Sequence, residues 1–389
     1  MKHQIMLPFF FLIALVSSGY VAAKPSGVRV SLFNGQNLNG WHVTNCEVAV
    51  EDGLMVAEAG NGLVRTDHQY KDFVLEWACR PRKADKWDSG VYFRCELPKG
   101  KRPWPKRYQI NLLQGQEGNG VGLPEAVSKG LVKAGEWNQF KLSVVGERAE
   151  LEINGKPAWK TDGIESPQGY IGLQVEAPGG GQFEFKNIYV TELDARPLFN
   201  GTDLSGWEGG GAAAELCWKV TDGELLCTGA KGPWLRSVEE FDDFNLRLDY
   251  KLKAGGNSGV YLRVAKDGAH RDPGQGVEIQ VLDDRAERYR TLKAYQYTGS
   301  VYAIAAAQQH VGREPGQWNA LEMDCHGSRY RITHNGITII DADIDEFPAL
   351  GKRRMAGFLG LQNHSEEVWY RNIRVGASQM PDPTAEDSQ

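Results

Sequence analysis

The stretch LFNGQNLNGW at residues 32–41 recurs as LFNGTDLSGW at residues 198–207, and this pair decides how the chain is organised. Further matches follow each copy in the same order: VEDGLM with VTDGEL, DSGVYFR with NSGVYLR, GYIGLQ with GFLGLQ, and FKNIYV with YRNIRV. Co-linear self-similarity of this kind indicates that one structural unit has been duplicated. The 389 residues leave room for two domains with full-sized cores.

Within each copy, apolar residues alternate with polar ones and turn residues separate the alternating segments. Such a period of two predicts β-strands with one face toward a core. Long helical patterns are absent, and the alanine-containing segment 294–310 has glycine and β-branched residues that favour a loop over a sheet surface. The predicted fold class is all-β, with two jelly-roll β-sandwiches in tandem.

The first residues have the pattern of an export signal. Lys2 precedes an apolar run at 5–16, and small residues follow up to a cleavage position before Lys24. No later segment is apolar enough to span a membrane and no lipid-anchor cysteine follows, so we expect a soluble periplasmic or secreted chain. The predicted segments are a signal peptide at 1–23, a diverged sandwich at 24–194, a better-equipped sandwich at 195–376 and a disordered tail at 377–389.

Export permits disulfides among the six cysteines. Cys79 with Cys95, and Cys217 with Cys227, are pairs that the local sequence allows. Buried free thiols are the equal alternative, because a free cysteine packs as a small apolar side chain.

The charge of the chain argues against nucleic acid as a partner. The formal net charge is −6, and the densest basic stretch, 101–107, is interrupted by two prolines and favours a solvated loop. We therefore expect no nucleic-acid partner, and the sequence leaves the oligomeric state open.

Strand alternation in the second copy predicts a polar site. In three predicted strands the apolar residues occupy one parity, which leaves polar residues on the other face. If the strands are neighbours, this face is a concave pocket suited to a sugar, whose hydroxyls need paired hydrogen bonds and whose C–H face stacks on rings. A plain solvent-facing sheet is the alternative. The predicted pocket residues are Tyr261, Arg263, Glu278, Gln280, Gln362 and His364, with Asn257, Asp283 and Tyr302 at the rims.

The first copy keeps a polar face at the same positions but changes its chemistry. Tyr92 and Arg94 match the Tyr and Arg of the second copy, whereas the groups able to move protons are replaced. We therefore interpret the first copy as a binding or scaffolding unit. The replacements are Gln109 for Glu278, Asn111 for Gln280, Gln114 for Asp283, and Glu176 for His364.

The motifs FNGxxLxGW, GGNSGVYLR, GVEIQVLDD, GLQNH and YRNI, in this order, resemble the 3-keto-disaccharide hydrolase family, also described as 3-keto-glycoside 1,2-lyase and 3-keto-2-hydroxy-glucal hydratase domains. The resemblance covers both copies and is closer in the second. It implies a concanavalin A-like jelly roll and cleavage of glycosides oxidised at C3. A C3 ketone acidifies the C2 proton, so a base can drive elimination of the C1 substituent, and addition of water gives net hydrolysis.

This chemistry needs a base, an acid and a group that stabilises the enolate. We assign His364 or Glu278 to the proton transfers and Arg263 to the sugar or enolate. Tyr261, Asn257, Gln280, Asp283, Tyr302 and Gln362 are then substrate-binding residues.

No cofactor is certain from the sequence. A divalent metal is an option that Glu278, Asp283 and His364 could ligate, although HExxH and paired CxxC motifs are absent. Two other histidines, His270 and His310, are interpreted as surface residues.

Two other functions stay open. One is a non-catalytic carbohydrate-binding tandem, because fold does not dictate chemistry. The other is a conventional glycosidase, which needs two carboxylates bracketing the bond. Glu278 and Asp283 are five residues apart and would face opposite sides of a regular strand.

Overall fold

The computed structural model describes residues 27–123 and 125–380, so the predicted signal peptide lies outside the described residues. The chain is built almost entirely of antiparallel β-strands, which confirms the predicted all-β tandem of jelly-roll sandwiches. The strands of the first half are β1 (Val28–Ser31), β2 (Trp41–Glu51), β3 (Leu54–Tyr70), β4 (Phe73–Pro81), β5 (Gly90–Cys95), β6 (Gln109–Asn111), β7 (Gly120–Val121), β8 (Asn138–Val145), β9 (Arg148–Ile153), β10 (Lys156–Thr161), β11 (Gly169–Glu176) and β12 (Phe183–Glu192).

The second half repeats this arrangement and has the clearer two layers. Its strands are β13 (Ala195–Pro197), β14 (Trp207–Gly209), β15 (Trp218–Thr221), β16 (Glu224–Thr228), β17 (Leu235–Phe241), β18 (Phe244–Leu252), β19 (Asn257–Val264), β20 (Val277–Leu282), β21 (Asn319–His326), β22 (Arg329–His334), β23 (Ile337–Ala342), β24 (Gly357–Leu361) and β25 (Glu367–Gly376). The helices are single 3₁₀ turns at Ala177–Gly179, Ala214–Leu216, Glu287–Tyr289, Ala294–Gln296 and Leu350–Lys352.

Two sheets form the second sandwich. One has the order β14-β17-β24-β19-β20, and the other has the order β15-β16-β25-β18-β21-β22-β23 with β13 beside β25. The apolar parity of the facing strands fills the space between them, as the alternation predicts. Core side chains include Leu248, Ile279, Leu321, Leu359 and Val368, all at most 1% exposed.

In the first half the two layers share one long strand. β3 pairs with β12 at Met55–Val56 and with β11 from Asn61 to Tyr70, so all the strands join in a single folded sheet. The enclosed core contains Phe73, Leu75, Leu142, Ile171 and Val190, none more than 1% exposed.

Buried charges connect the two halves. Glu192, at the end of β12, accepts hydrogen bonds from Arg247 Nη1 at 2.9 Å and Arg374 Nε at 2.7 Å, and each of the three side chains is only 2% exposed. Arg247 also donates to Glu322, which in turn contacts His68 of β3. Buried charges are tolerated when each has a partner, and here the partners come from opposite halves.

A second ionic contact lies at the same junction. Asp67 of the first half is 3.0 Å from His42 Nε2 and 2.9 Å from Arg313 Nη2 of the second half. Burial favours protonation of Asp67, but His42 and Arg313 outweigh it and lower the pKa of this carboxyl to about 2.

Three smaller expectations can be compared with the structure. All six cysteines are free thiols, so neither local pair forms a disulfide. Residues just beyond the predicted domain end at 376 are ordered: the Ser378 hydroxyl and the Gln379 amide donate to Asp324, and Met380 is buried. The rest of the predicted tail, 381–389, lies outside the described residues. Across the described ranges, no helix has the length and apolar character needed to cross a bilayer.

Candidate active site

Three neighbouring strands of the second half bring part of the predicted site together. β19 pairs with β20 and with β24, so that Tyr261 lies opposite Glu278 and beside Gly360. Gln362 follows β24 directly, and its Nε2 donates to the Tyr261 hydroxyl at 3.0 Å. The predicted alternation of faces therefore brings Tyr261, Glu278 and Gln362 together on one face of the sheet.

The absence of a side chain at Gly259 leaves the space that the Glu278 carboxylate occupies. A Cβ atom on Gly259 would lie 2.2 Å from Glu278 Oε1, so only glycine lets the carboxylate lie across the adjacent strand. Glu278 is 3% exposed, and within the described structure its Oε1 has no hydrogen-bond partner. Gln362 Oε1 is a second buried oxygen without a partner. Since buried polar atoms are normally paired, these oxygens are suited to receive ligand hydroxyls.

His270 faces the same carboxylate, and the sequence-based interpretation of it as a surface residue is wrong. Its side chain is 13% exposed, its Nε2 is 3.1 Å from Glu278 Oε2, and its ring stacks on Tyr261 at 4.7 Å. The residue lies in the loop that joins β19 to β20. Because this loop connects the strand of Tyr261 to the strand of Glu278, it has to pass near both residues. That connection was the signal in the sequence that could have placed His270 at the site.

The proton positions on His270 follow from its partners. Nδ1 is 2.8 Å from the Gly268 carbonyl, which can only accept, so Nδ1 carries a proton. Burial lowers the pKa of His270, but the contacts with Glu278 and Gly268 outweigh it and raise that pKa above its ordinary value. Nε2 faces Glu278 Oε2 at 3.1 Å, although it makes no aligned hydrogen bond within the described structure. A histidine with a raised pKa beside a carboxylate is the arrangement of an acid–base pair.

Tyr261 is a hydrogen-bond donor in this site. Burial and the nearby Glu278 carboxylate raise the pKa of its hydroxyl, which keeps it protonated. Because that oxygen already accepts from Gln362, its own hydrogen is directed toward another acceptor.

Aromatic side chains contact the residues of this site. Trp234 meets Tyr261 edge-on at 5.4 Å, and its indole covers Gly360, where a Cβ would lie only 2.4 Å away. Tyr302 lies along β20, where its backbone N–H donates to the Glu278 carbonyl at 2.8 Å. Gln280 is buried on the same face of β20 as Glu278. Sequence reasoning missed Trp234, which directly precedes β17, the strand that pairs with β24 on its other side.

Arg263 does not belong to the site, and its predicted placement beside Tyr261 is wrong. The pairing of β19 with β24 shifts between Tyr261 and Val264, and Arg263 has a φ of +54°. This β-bulge reverses the alternation. The fully buried guanidinium instead donates to the Asp242 carbonyl, the Gly327 carbonyl and the Asp243 carboxylate. Arg94 repeats the bulge and these contacts in the first half.

Three other predicted residues lie at or beyond the ends of the site strands, which is the rim position expected for Asn257 and Asp283 but not for His364. His364 is exposed beyond the end of β24, and among the described residues no hydrogen bond or ion pair connects it to Glu278. Asp283 caps a turn, accepting from the backbone N–H groups of Gly255 and Arg285. Asn257 stands at the start of β19, with a buried Oδ1 that lacks a hydrogen-bond partner in the described chain.

These positions bear on the metal option. Glu278, Asp283 and His364 do not converge as one ligand set, and no group of three metal-ligating side chains is present in residues 27–123 and 125–380. The sequence hypothesis of a divalent metal on these three residues therefore lacks a common site.

The first half has the same strand register with other chemistry. Tyr92 lies opposite Gln109 as Tyr261 lies opposite Glu278. Gln109 Nε2 donates to Gln174, and Gln174 Nε2 donates to Glu176, so the amides satisfy one another. The acid–base pair is replaced here by a chain of hydrogen bonds.

A family model matches both halves, at residues 29–191 and 194–376, and the chain therefore belongs to the family of the 3-keto-alpha-glucoside-1,2-lyase-like domain. This membership makes it a carbohydrate-active protein of the glycosyl-hydrolase type.

Relatives are recognisable at low identity. A 3-keto-disaccharide hydrolase of Bacteroides thetaiotaomicron is 23% identical over an alignment of 243 residues that covers 49% of this chain and 84% of that protein. A crystal structure from Parabacteroides distasonis ATCC 8503, provisionally assigned as a glycosyl hydrolase, is 28% identical, with a TM-score of 0.41 and coverage of 47% of this chain and 98% of that one. The carbohydrate binding module CBM66 of Bacillus subtilis is 16% identical, with a TM-score of 0.33 and coverage of 40% and 98%.

Proposed function

We propose that the second half cleaves 3-keto-glycosides by elimination followed by hydration, giving net hydrolysis. The observation that carries this proposal is the Glu278–His270 pair, which is beside Tyr261 and has one carboxylate oxygen without a hydrogen bond from any described residue. The name of the Bacteroides relative supports the substrate class.

In the first step Glu278 acts as the base. Its carboxylate removes the C2 proton, which the C3 ketone has acidified. The C2 electron pair forms the C1=C2 double bond, and the C1–O bond breaks. The departing oxygen takes the proton that His270 supplies through Nε2, so a free alcohol leaves.

Tyr261 stabilises the charge that develops on the C3 oxygen during this step. Its hydroxyl hydrogen is available because Gln362 occupies the oxygen as donor. A preorganised donor in a buried site is worth more than the same donor in water. This role replaces the one predicted for Arg263.

In the second step water adds across the double bond. His270, which lost its Nε2 proton in the first step, takes a proton from the water as the hydroxyl joins C1, and C2 regains a proton from Glu278, which restores the 3-keto sugar and both side chains. Gln280 and Gln362 would bind hydroxyls, and Trp234 would stack against the C–H face of the ring. Gln362 Oε1 and Glu278 Oε1, the two buried oxygens described above, would accept hydrogen bonds from those hydroxyls.

The test compares 3-keto-trehalose with trehalose as substrates of the mature chain, with and without chelator. We expect turnover of the ketone alone, and a loss of about 10²- to 10⁴-fold in kcat for Glu278→Gln. Gln109→Asn, at the matching position of the first half, should leave the rate unchanged. Turnover of trehalose itself would contradict the elimination, and binding of sugar without turnover would favour a carbohydrate-binding tandem.

We also propose that the chain acts in the periplasm or as a secreted protein. The basic, apolar and small-residue order of residues 1–23 supports this. Terminal sequencing of protein recovered outside the cytoplasm should begin at Lys24, and recovery of the uncleaved chain in the cytoplasm would contradict it.

A further inference from the structure

The loop at residues 96–108 in the first half occupies the position of the loop that carries His270 in the second half. Each connects the strand bearing the pocket tyrosine to the strand opposite it, β5 to β6 and β19 to β20. In the first half Trp104 of this loop packs against the cluster of Leu63, Tyr92 and Cys95. In the second copy the imidazole of His270 stacks on Tyr261. In the first copy the indole of Trp104 packs against the cluster around Tyr92, the corresponding tyrosine.

The loop also concentrates positive charge. It lines a groove of about 430 Å³ together with Ser166. Four cations line the groove against one carboxylate, Glu96, which pairs with Lys99 at 3.5 Å. Arg107 is paired with Glu165 from outside the groove. Arg102 and Lys106 are exposed and, in the part of the chain that the structure describes, have no ion-pair partner.

Arg102 and Lys106 line the groove together with Trp104, which packs against the cluster that contains Tyr92. Two unpaired cations therefore stand beside an aromatic surface formed by Trp104, in a chain whose net charge is −6. Attraction for anions is thus local to this groove rather than a property of the whole protein.

We propose that this groove binds an acidic saccharide, making the first half an anionic-glycan-binding site with no catalytic role. Arg102 and Lys106 would hold a carboxylate or sulfate group, since a guanidinium matches such planar or multi-oxygen anions. Trp104 and the prolines Pro98 and Pro105 would contact the apolar face of the pyranose ring. The proposal does not depend on the chemistry assigned to Glu278 and His270.

Binding should be measured by calorimetry on the whole mature chain, with a galacturonate oligosaccharide, a sulfated oligosaccharide and a neutral one of equal length. We expect the acidic ligands to bind and the neutral one to bind at least tenfold more weakly. The carboxylate and sulfate arms show which anion the groove prefers. Failure of both acidic ligands to bind would overturn the proposal.

Variants assign the binding to this groove. Arg102→Gln should weaken binding about tenfold, the loss of one charged hydrogen bond. Lys156→Gln, an exposed lysine on β10 at the opposite edge of the sheet, should change nothing. Because Arg102 is exposed, the variant should unfold at the wild-type temperature.

Two results would overturn the assignment. One is unchanged affinity in Arg102→Gln. The other is loss of affinity in Glu278→Gln with retention in Arg102→Gln, which would place the acidic sugar in the second half. A polyphosphate of equal charge that competes as well as the uronate would show binding by charge alone and would also refute a saccharide site. Retained binding in an inactive Glu278→Gln protein would support the proposal irrespective of the reaction.

Discussion

Replacing Asp67 with asparagine should destabilise the chain by an amount that depends on pH. The pKa of this carboxyl falls from its ordinary value of 3.8 to about 2 because His42 and Arg313 outweigh the effect of burial. At 1.36 kcal/mol per pH unit, this difference corresponds to about 2.4 kcal/mol of folding free energy at pH 7. A carboxyl whose pKa is depressed by folding contributes that stability above its unfolded pKa and loses it as pH falls toward the folded value. About 1.3 kcal/mol should be left at pH 3.

Urea unfolding followed by tryptophan fluorescence can measure this, with Asp67→Asn compared to wild type between pH 7 and pH 3. The difference between the two proteins should shrink by about half over that interval. Asp162→Asn, at an exposed aspartate of the same half, should match wild type throughout. A difference for Asp67→Asn that stays constant with pH would refute the ionic origin of the effect.

Three further outcomes are expected. Burial lowers the pKa of His270, but Glu278 and Gly268 raise it above its ordinary 6.5, so the proposed acid role predicts an alkaline fall in kcat/KM that begins above that value. His270→Gln should abolish this limb, and a limb that persists would exclude His270 as the acid. Gly259→Ala should displace the Glu278 carboxylate and lower kcat about 10²-fold or more, whereas Gly90→Ala in the first half should leave the rate intact; equal effects of both would indicate general strand damage. Arg263→Gln should lower the free energy of unfolding by about 1–3 kcal/mol, because it removes a buried guanidinium and leaves the Asp242 and Gly327 carbonyls without their donor. It should preserve KM in whatever protein folds, and a selective rise in KM would return Arg263 to the site.

The sequence predicted the fold and the part of the site that regular strands carry. Duplication is visible as a co-linear repeat, and Tyr261 and Glu278 share a face because β19 and β20 pair in continuous register between them. Where the geometry departs from a regular strand, alternation fails. The bulge turns Arg263 away from the pocket, and β24 ends at Leu361, three residues before His364.

The other half of the acid–base pair could not be found in this way. His270 lies in a loop, and the path of a loop is set by its closure and by the surface it crosses rather than by a repeating side-chain direction. The comparison of the two copies carried a partial signal, because the connecting segment changes from a tryptophan-containing basic loop to one with a histidine. That difference indicates a site residue only once it is known that the loop connects β19 to β20.

The position of Glu192 makes the second copy depend on the first. This carboxylate is part of the first copy, yet the charges it neutralises, Arg247 and Arg374, are inside the second. The first copy therefore supports the second through residues that are separate from its own Gln109 and Gln174 positions. Deleting the first copy would leave two buried arginines of the second copy without their counter-ion. The first copy is therefore required for the stability of the second, whatever ligand it binds itself.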